Sequence, residues 1–159
     1  MAVSLVATIA VQAENTVTSG NQSKVDKTSI SSRTQYTDGT GASSVNKTYD
    51  TGQVTLGASP VSYDLSGSLT AGNGAAAVFT KIRTFAITAP STNTGAITVG
   101  GGATAWASLY GSTLIVRPGT EIGMKTIEGT AYAVTAGTTD LVQVSGTNGD
   151  KYQLFFAGE

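Results

Sequence analysis

The sequence predicts an all-β protein: an antiparallel β-sandwich of the jelly-roll type, with an extended N-terminal arm. The 159 residues include 26 Thr, 16 Ser and 20 Gly, and only 12% of residues are charged. β-Branched residues favour strands over helices, and glycines favour turns. From residue 53 onward, short apolar runs recur, and every gap between them contains Gly, Pro or Asn. Short strands at this spacing indicate an antiparallel sandwich or barrel.

Apolar side chains recur with a period of two through the first thirteen residues. The apolar ones occupy odd positions, at Val3, Leu5, Ala7, Ile9, Val11 and Ala13. A period of two predicts a strand. A secretory signal peptide is the alternative, because the segment ends like a cleavage site. We favour the strand, because the segment has no basic residues at its start and polar residues interrupt its apolar run.

Residues 14–52 are polar and rich in Ser, Thr and Asn. We predict two weak strands there, at 28–36 and 45–49, on either side of a glycine turn at 37–41. The region has too few apolar side chains to bury a core of its own. We therefore predict that residues 1–52 are a strand and a polar arm ordered against a neighbour, and that residues 53–159 form the sandwich.

From residue 53 onward the predicted strands follow one another closely. The segment 79–88 is apolar on both faces, which is typical of a strand inside a sheet. Pro118 marks a corner between two strands, which favours a jelly roll. An immunoglobulin-like sandwich is the second choice, because the Cys-Trp-Cys spacing is missing. Asn148-Gly149 predicts a hairpin between the last two strands. The predicted strands are 53–56, 61–65, 79–88, 96–99, 109–116, 121–125, 131–135, 141–145 and 152–157.

The composition excludes several classes of active site. The chain has no His and no Cys, so it has no Ser-His or Cys-His nucleophile pair, no zinc-thiolate site and no disulfide. No carboxylate pair suited to a glycosidase is evident. Asp38 and Asp64 are candidate calcium ligands, but Asp in such turns more often caps its own turn. We expect no enzymatic activity, no cofactor and no metal ion.

The charges and apolar runs also limit the partners. The net charge is -1 and the basic residues are scattered, so we expect no nucleic-acid binding. No stretch approaches the ~20 apolar residues of a membrane-spanning helix, so we expect no membrane insertion. A surface rich in Thr and Ser is typical of a chain that faces other protein.

Five side chains are the candidates for an interface with a partner. Trp106 is the single Trp, and we interpret it as a core or interface anchor in preference to a sugar platform. Tyr36 and Tyr110 are further aromatic candidates. Lys81 and Arg83 share one face of the predicted strand at 79–88. They are either solvated charges or contacts to a carboxylate of another subunit.

Six blocks of sequence, in order, resemble small structural proteins of tailed bacteriophages. The resemblance spans about residues 37–158. Members of that group are similar to capsid decoration proteins, head fibres and tail parts. The resemblance implies a β-sandwich without enzymatic activity or cofactor. The blocks are TDGTGA at 37–42, YDLSGSL at 63–69, FTKIR at 79–83, TVGG at 98–101, VRPG at 116–119 and TAGTTDL at 135–141.

The resemblance implies a role in the virion. We expect a capsid decoration or cement protein that binds across subunits of the major capsid protein. The alternative is a tail or head-fibre module that binds a host surface glycan, with Trp106, Tyr110, Tyr132 and Tyr36 as the candidate contacts. Both roles predict a homo-oligomer, for which we favour a trimer.

Overall fold

A computed structural model describes residues 2–19, 22–67, 69–106 and 110–159. Within these ranges the chain forms strands and no helices, which confirms the predicted all-β class. Correspondingly, the described residues contain no helix long and apolar enough to cross a membrane. The strands are β1 (Leu5–Ser19), β2 (Gln22–Asp38), β3 (Ser44–Val45), β4 (Lys47–Asp50), β5 (Val54–Thr55), β6 (Val61–Asp64), β7 (Lys81–Ala89), β8 (Ile97–Gly100), β9 (Thr113–Val116), β10 (Thr120–Lys125), β11 (Tyr132–Ala133), β12 (Leu141–Ser145) and β13 (Lys151–Gly158).

Two antiparallel sheets carry most of the fold. One has the order β10-β7-β13-β4, with β11 also beside β7 and β5 also beside β13. The other has the order β6-β12-β8-β9. The pairs are nested along the chain, since β4 pairs with β13, β6 with β12, β7 with β10, and β8 with β9. The chain therefore folds as one long double-stranded ribbon that is distributed over two sheets.

One apolar core joins the two sheets. In β12 and β13 the buried side chains alternate with less buried ones, so each strand turns one face to the core. β7 lies in the interior of its sheet, as its two apolar faces predict. The core includes Phe85, Ile87, Leu154 and Phe156 from the six-stranded sheet and Ile97, Val99, Val116, Val142 and Val144 from the four-stranded sheet.

The predicted strands from residue 53 onward all overlap observed ones. The bounds of β12 match the prediction. The strand predicted to begin at Leu109 corresponds to β9, which begins at Thr113, and Leu109 itself lies outside the described residues. The predicted hairpin between the last two strands is wrong. β12 and β13 belong to different sheets, so the turn between them connects the two layers.

The turn itself forms where Asn148-Gly149 predicts it. Gly149 has a φ of 94°, and the Asp150 amide donates to the Thr147 carbonyl at 3.0 Å. The Leu56 amide donates to the Asp150 carbonyl at 2.8 Å, which draws the start of β13 beside β5. This contact directs β13 into the six-stranded sheet, away from β12.

The Asp150 carboxylate also holds the loop before β8. It accepts hydrogen bonds from the Thr94 amide at 2.7 Å, the Gly95 amide at 2.9 Å and the Thr94 hydroxyl at 3.1 Å. The Thr94 amide contributes most to lowering the pKa of this carboxyl below 3.8. The Asp140 carboxylate, which accepts from the Gly137 amide, likewise has a lowered pKa.

These two carboxylates predict acid-sensitive stability. A group with a lowered pKa stabilises the folded state above its ordinary value of 3.8 and loses that contribution as the pH falls through its folded-state pKa. We expect the thermal midpoint to drop between about pH 5 and about pH 2, and Asp150→Asn to flatten part of that drop. Calorimetry across this range measures it. An unchanged pH slope in Asp150→Asn would count against the assigned role, and Asp26→Asn, at an exposed site, is the control.

The N-terminal hairpin, β1 with β2, is the largest departure from the predicted arm. Its register runs without interruption from Leu5↔Tyr36 to Ser19↔Gln22. Residues 14–19 and 22–27, which the sequence predicts as polar arm, are therefore strand. Each strand supplies the other with hydrogen-bond partners, so weak local alternation suffices. β4, also inside the range 1–52, pairs with β13 in the six-stranded sheet.

Candidate docking surface on the N-terminal hairpin

The base of the N-terminal hairpin packs on the outer face of the six-stranded sheet. Tyr36 is 1% exposed, and its hydroxyl donates to the Thr126 carbonyl at 2.9 Å. It shares a small second core with Val45 and Ala157. Four partly buried residues complete that contact: Val3, Leu5, Ala7 and Phe155. The first odd positions of the predicted alternation are therefore the ones that anchor the hairpin.

Lys125, at the end of β10, ties both strands of the hairpin to the sheet. Its Nζ donates to the Ser32 carbonyl at 2.7 Å, the Thr34 Oγ1 at 2.9 Å and the Ala7 carbonyl at 3.2 Å. Three oxygens match the three donors of an ammonium group. The hairpin base is thus held by a polar clamp as well as by apolar packing.

Removing the clamp should loosen the hairpin base without unfolding the sheets. Hydrogen bonds from a charged donor contribute about 1.5–3 kcal/mol. For Lys125→Met we therefore expect amide hydrogen exchange in the first half of β1 to accelerate about tenfold or more, with the core strands unchanged. Exchange followed by mass spectrometry measures this. Lys27→Met is the matched control, because its ion pair with Glu14 is exposed. Equal exchange in the two variants would rule out the clamp.

Beyond the base, the same face of the hairpin carries an apolar strip that nothing in the described chain covers. We define the apolar strip as Ile9, Val11, Ala13 and Ile30. Val11 lies directly opposite Ile30, and their exposed fractions are 61% and 69%; Ile9 is 41% exposed. A two-stranded hairpin without a packed face is marginally stable in water. The strip therefore has the character of a surface that a partner covers.

The outer edge of β1 is also unpaired. Among the described strands β1 pairs only with β2, and the pairing has no bulge over Leu5–Ser19. β1 has no Pro and a single charged residue, Glu14, whereas β2 carries Lys24, Asp26, Lys27 and Arg33. Proteins usually protect a long free edge with charges, prolines or bulges. The β1 edge lacks the bulges and prolines and has almost none of the charge.

A groove of about 480 Å³ runs between β1 and the outer face of the six-stranded sheet. Seven consecutive residues of β1, 5–11, line one side, and small side chains such as Ala86 and Gly123 line the other. Thr84 lies in this lining, is 7% exposed, and has a hydroxyl with no hydrogen-bond partner in the described part of the chain. Buried polar groups are rarely left unpaired. The sheet side of the groove therefore combines apolar residues with the charged Glu121 and Lys125 and with one unsatisfied hydroxyl.

Trp106 lies in the core and is fully buried. Its Nε1 donates to the Ala133 carbonyl at 3.0 Å. Its ring contacts four aromatic rings at centroid distances of 6.2–6.5 Å, those of Phe85, Phe156, Tyr132 and Tyr110. The sequence left two interpretations of Trp106, a core anchor and an interface anchor. Within this chain Trp106 is a core residue.

Tyr110 is half-buried and packs edge-on against Trp106. Its hydroxyl has no hydrogen-bond partner among the described residues, and burial raises its pKa to about 12. Tyr132 meets Trp106 from another side. Tyr110 and Tyr132 therefore meet around the Trp106 ring instead of forming an exposed platform, and Tyr36 belongs to the separate second core.

Lys81 and Arg83 both contact the Glu159 carboxylate of the same chain. The distances to Glu159 Oε1 are 3.5 Å from Lys81 Nζ and 2.5 Å from Arg83 Nη2. Arg83 is fully buried, and Lys81 remains partly exposed. The carboxylate that both side chains contact therefore belongs to this chain and not to another subunit. Tyr36 is the one predicted interface residue that adjoins the hairpin surface.

Both candidate calcium ligands, Asp38 and Asp64, accept hydrogen bonds from groups of this chain. Asp64 Oδ1 accepts from the Ser66 amide at 3.0 Å and the Ser66 hydroxyl at 3.1 Å, so Asp64 caps its own turn. Asp38 Oδ1 accepts from the Val3 amide at 3.1 Å. The described residues contain no group of three or more side chains suited to a metal ion.

Sequence reasoning included most of the apolar strip without recognising it as a surface. The alternation over residues 3–13 contains Ile9, Val11 and Ala13, and Ile30 stands alone among hydroxyl side chains. The sequence pattern does not show where the hairpin extends past the edge of the sheet beneath it, and this position decides which of these apolar side chains are exposed. Comparisons of the chain with protein-family models, with curated proteins and with solved structures find no match.

Proposed function

We propose that this chain is a structural protein of a tailed-phage virion, acting as a capsid decoration or cement protein that binds across neighbouring subunits of the major capsid protein. The proposal assigns it no catalysis and no cofactor. The observation that carries it is the N-terminal hairpin, which presents an uncovered apolar strip beside two well-packed sheets. The phage-like sequence blocks support the virion assignment.

We also propose that the two main sheets form a jelly roll and that the hairpin is the predicted arm. The nested pairing of β4 with β13, β6 with β12, β7 with β10 and β8 with β9 supports the jelly roll. Eight strands in two sheets, connected in this way, are typical of that fold, which occurs in viral capsid and lectin domains. A shared fold alone does not assign a function, so the decoration role is proposed from the hairpin surface.

A cement protein must contact two neighbouring capsid subunits, so it needs a second binding surface besides the one on its two main sheets. Covering Ile9, Val11 and Ile30, which are 41–69% exposed, removes apolar area from water. At about 1.5–3 kcal/mol for a fully buried side chain, their partial exposure corresponds to roughly 3–5 kcal/mol in total. A hairpin bound to one capsid subunit and a body bound to the next would join the two, and each contact raises the effective concentration of the other.

The glycan-binding alternative has less support. Tyr36 and Trp106 are 1% and 0% exposed, so neither presents a ring face for a sugar. Tyr110 and Tyr132 pack against Trp106. We therefore keep the decoration role as the proposal.

Counting copies in purified virions tests the proposal. A decoration protein should be present at a simple ratio to the major capsid protein, measured by quantitative mass spectrometry. The double variant Val11→Asp/Ile30→Asp should reduce its incorporation, because it places charge on the apolar strip. Val25→Asp is the matched control, since Val25 is 49% exposed on the opposite face of the hairpin. A handful of copies per particle, or equal loss in both variants, would refute the decoration role.

A further inference from the structure

The β1 edge combines three features that point to an added strand. It is unpaired along Leu5–Ser19, its pairing to β2 has no bulge, and its first half lines a groove. Strand addition uses main-chain hydrogen bonds for affinity, so it needs a free edge of sufficient length and little side-chain complementarity. At about 3.4 Å per residue, fifteen residues give an edge of about 50 Å.

We propose that a second copy of this chain covers the β1 edge, by antiparallel pairing of β1 with its counterpart about a two-fold axis. The product is a four-stranded sheet in which the two β1 strands are central and the two β2 strands form the edges. The inference uses the fold alone and does not depend on the virion assignment. A two-fold contact of this kind uses the same surface on both copies and closes at two.

The charges of the hairpin fit this arrangement. The two central strands would be the β1 strands, each of which has a single charged residue, Glu14. The two outer strands would be the β2 strands, each of which carries the charged residues Lys24, Asp26, Lys27 and Arg33. Like charges directly opposite each other are destabilising. Glu14 meets its own counterpart only if the axis passes through residue 14, so an axis near the middle of β1, at Val11 or Gln12, sets Glu14 opposite an uncharged residue. The charged β2 strands would then protect the new edges.

The area of contact is also of the right order. A sheet with its side chains is about 10 Å deep, so the β1 edge offers a strip of about 50 Å by 10 Å. Stable interfaces bury about 800 Å² on each partner. The groove supplies further contact, because the far end of the partner's β1 reaches the groove beside residues 5–11. A polar group entering there can satisfy the Thr84 hydroxyl, which lacks a partner in the described chain.

This pairing predicts a dimer where the sequence predicted a trimer. Size-exclusion chromatography with light scattering on the full chain distinguishes the two, and we expect a dimer at micromolar concentration. A monomer or a trimer would overturn the proposal. Neither result would touch the virion assignment, which depends on copy counting in particles.

Two lysine variants separate edge pairing from packing of the hairpin faces. Val11→Lys puts a charge on the paired edge and should weaken the dimer at least tenfold. Ile30→Lys puts the same charge directly across the hairpin on β2, at a comparably exposed site, and should leave the dimer nearly unchanged. Equal weakening by both variants would mean that the strips pack face to face, and would overturn edge pairing.

Cysteine cross-linking tests the register, and the chain has no cysteine of its own to interfere. Single cysteines at Ile9, Val11, Gln12 and Ala13 scan the centre of β1, so they cover both positions of the axis given above. A disulfide needs Cα atoms within about 7 Å, so the position nearest the axis should form a covalent dimer on oxidation. Ser31→Cys on β2 is the control, because its counterpart would lie three strand spacings away, about 14 Å. A covalent dimer from Ser31→Cys, or none from the β1 positions, would overturn the proposal.

Discussion

Replacing Arg83 by methionine should lower the free energy of unfolding by about 3–5 kcal/mol. The guanidinium group is fully buried and contacts Glu159 Oε1 at 2.5 Å. It also donates to the carbonyls of Glu128 and Gly129. The variant leaves the Glu159 carboxylate, whose side chain is 8% exposed, without its buried counter-charge. The carboxylate then keeps only the longer contact with the partly exposed Lys81, and the loss arises mainly from that poorly compensated buried charge and less from the value of the ion pair itself.

Urea unfolding followed by the fluorescence of Trp106, the single Trp, measures the effect. Lys81→Met is the matched control. Lys81 approaches the same oxygen at 3.5 Å, but its side chain is 36% exposed, so we expect a loss below about 1 kcal/mol. The double variant Arg83→Met/Glu159→Gln should recover part of the loss, because it leaves no buried charge. If Lys81→Met and Arg83→Met were equally destabilised, the buried pair would not have the assigned role.

The position of Arg83 shows what a sequence pattern cannot predict. Strict alternation in β7 would place Arg83 on the same face as Phe85. The register with β13 passes from Thr84↔Ala157 to Ile82↔Gly158, so Arg83 is an extra residue in a bulge. The bulge reverses the alternation and brings Ile82 and Phe85 to the same core. It depends on a strand about seventy residues away along the chain.

Gly158 makes the close approach at this bulge feasible. A Cβ built on Gly158 would lie 1.9 Å from the Lys81 carbonyl oxygen, which no side chain tolerates. In the sequence this glycine is one of twenty, and nothing local distinguishes it. The need for glycine at position 158 therefore follows from its contact with Lys81 on another strand, which exists only in the folded sheet.

Local signals predicted the strands of the double sheet well. The segments that became β5 to β13 are short, apolar and bounded by turn residues, so their positions depend on neighbouring residues alone. Their assignment to sheets was less predictable. Asn148-Gly149 specifies a reversal of the chain, but whether the next strand pairs back or crosses to the other layer depends on contacts such as Leu56 with Asp150.

The candidate surface was only partly predictable. The sequence predicts Tyr36 as an interface candidate, and within the chain this side chain anchors the hairpin. The sequence does not predict the strand character of residues 14–19 and 22–27, because Thr, Ser and charged residues give little alternation until a partner strand lies beside them. The exposure of Val11 and Ile30 depends on how far the sheet extends beneath the hairpin, which is a property of the tertiary fold.

Trp106→Ala should also lower the free energy of unfolding by about 3–5 kcal/mol. The indole is fully buried and touches Phe85 and Phe156 from the six-stranded sheet. Its removal leaves a cavity within the aromatic cluster and leaves the Ala133 carbonyl without the indole N–H as a donor. Circular dichroism must follow the unfolding, because the variant has no tryptophan fluorescence.

Trp106→Phe separates the two contributions. It keeps an aromatic ring in the cluster but loses the hydrogen bond to Ala133, so we expect a smaller loss, about 1–3 kcal/mol. Ile127→Ala is the control, because Ile127 is 55% exposed and should change stability by less than about 0.5 kcal/mol. An interface anchor would give the opposite pattern, since truncating it would weaken a complex and leave the isolated chain as stable as before. Wild-type stability in Trp106→Ala would therefore contradict the core assignment and return Trp106 to the candidate binding residues.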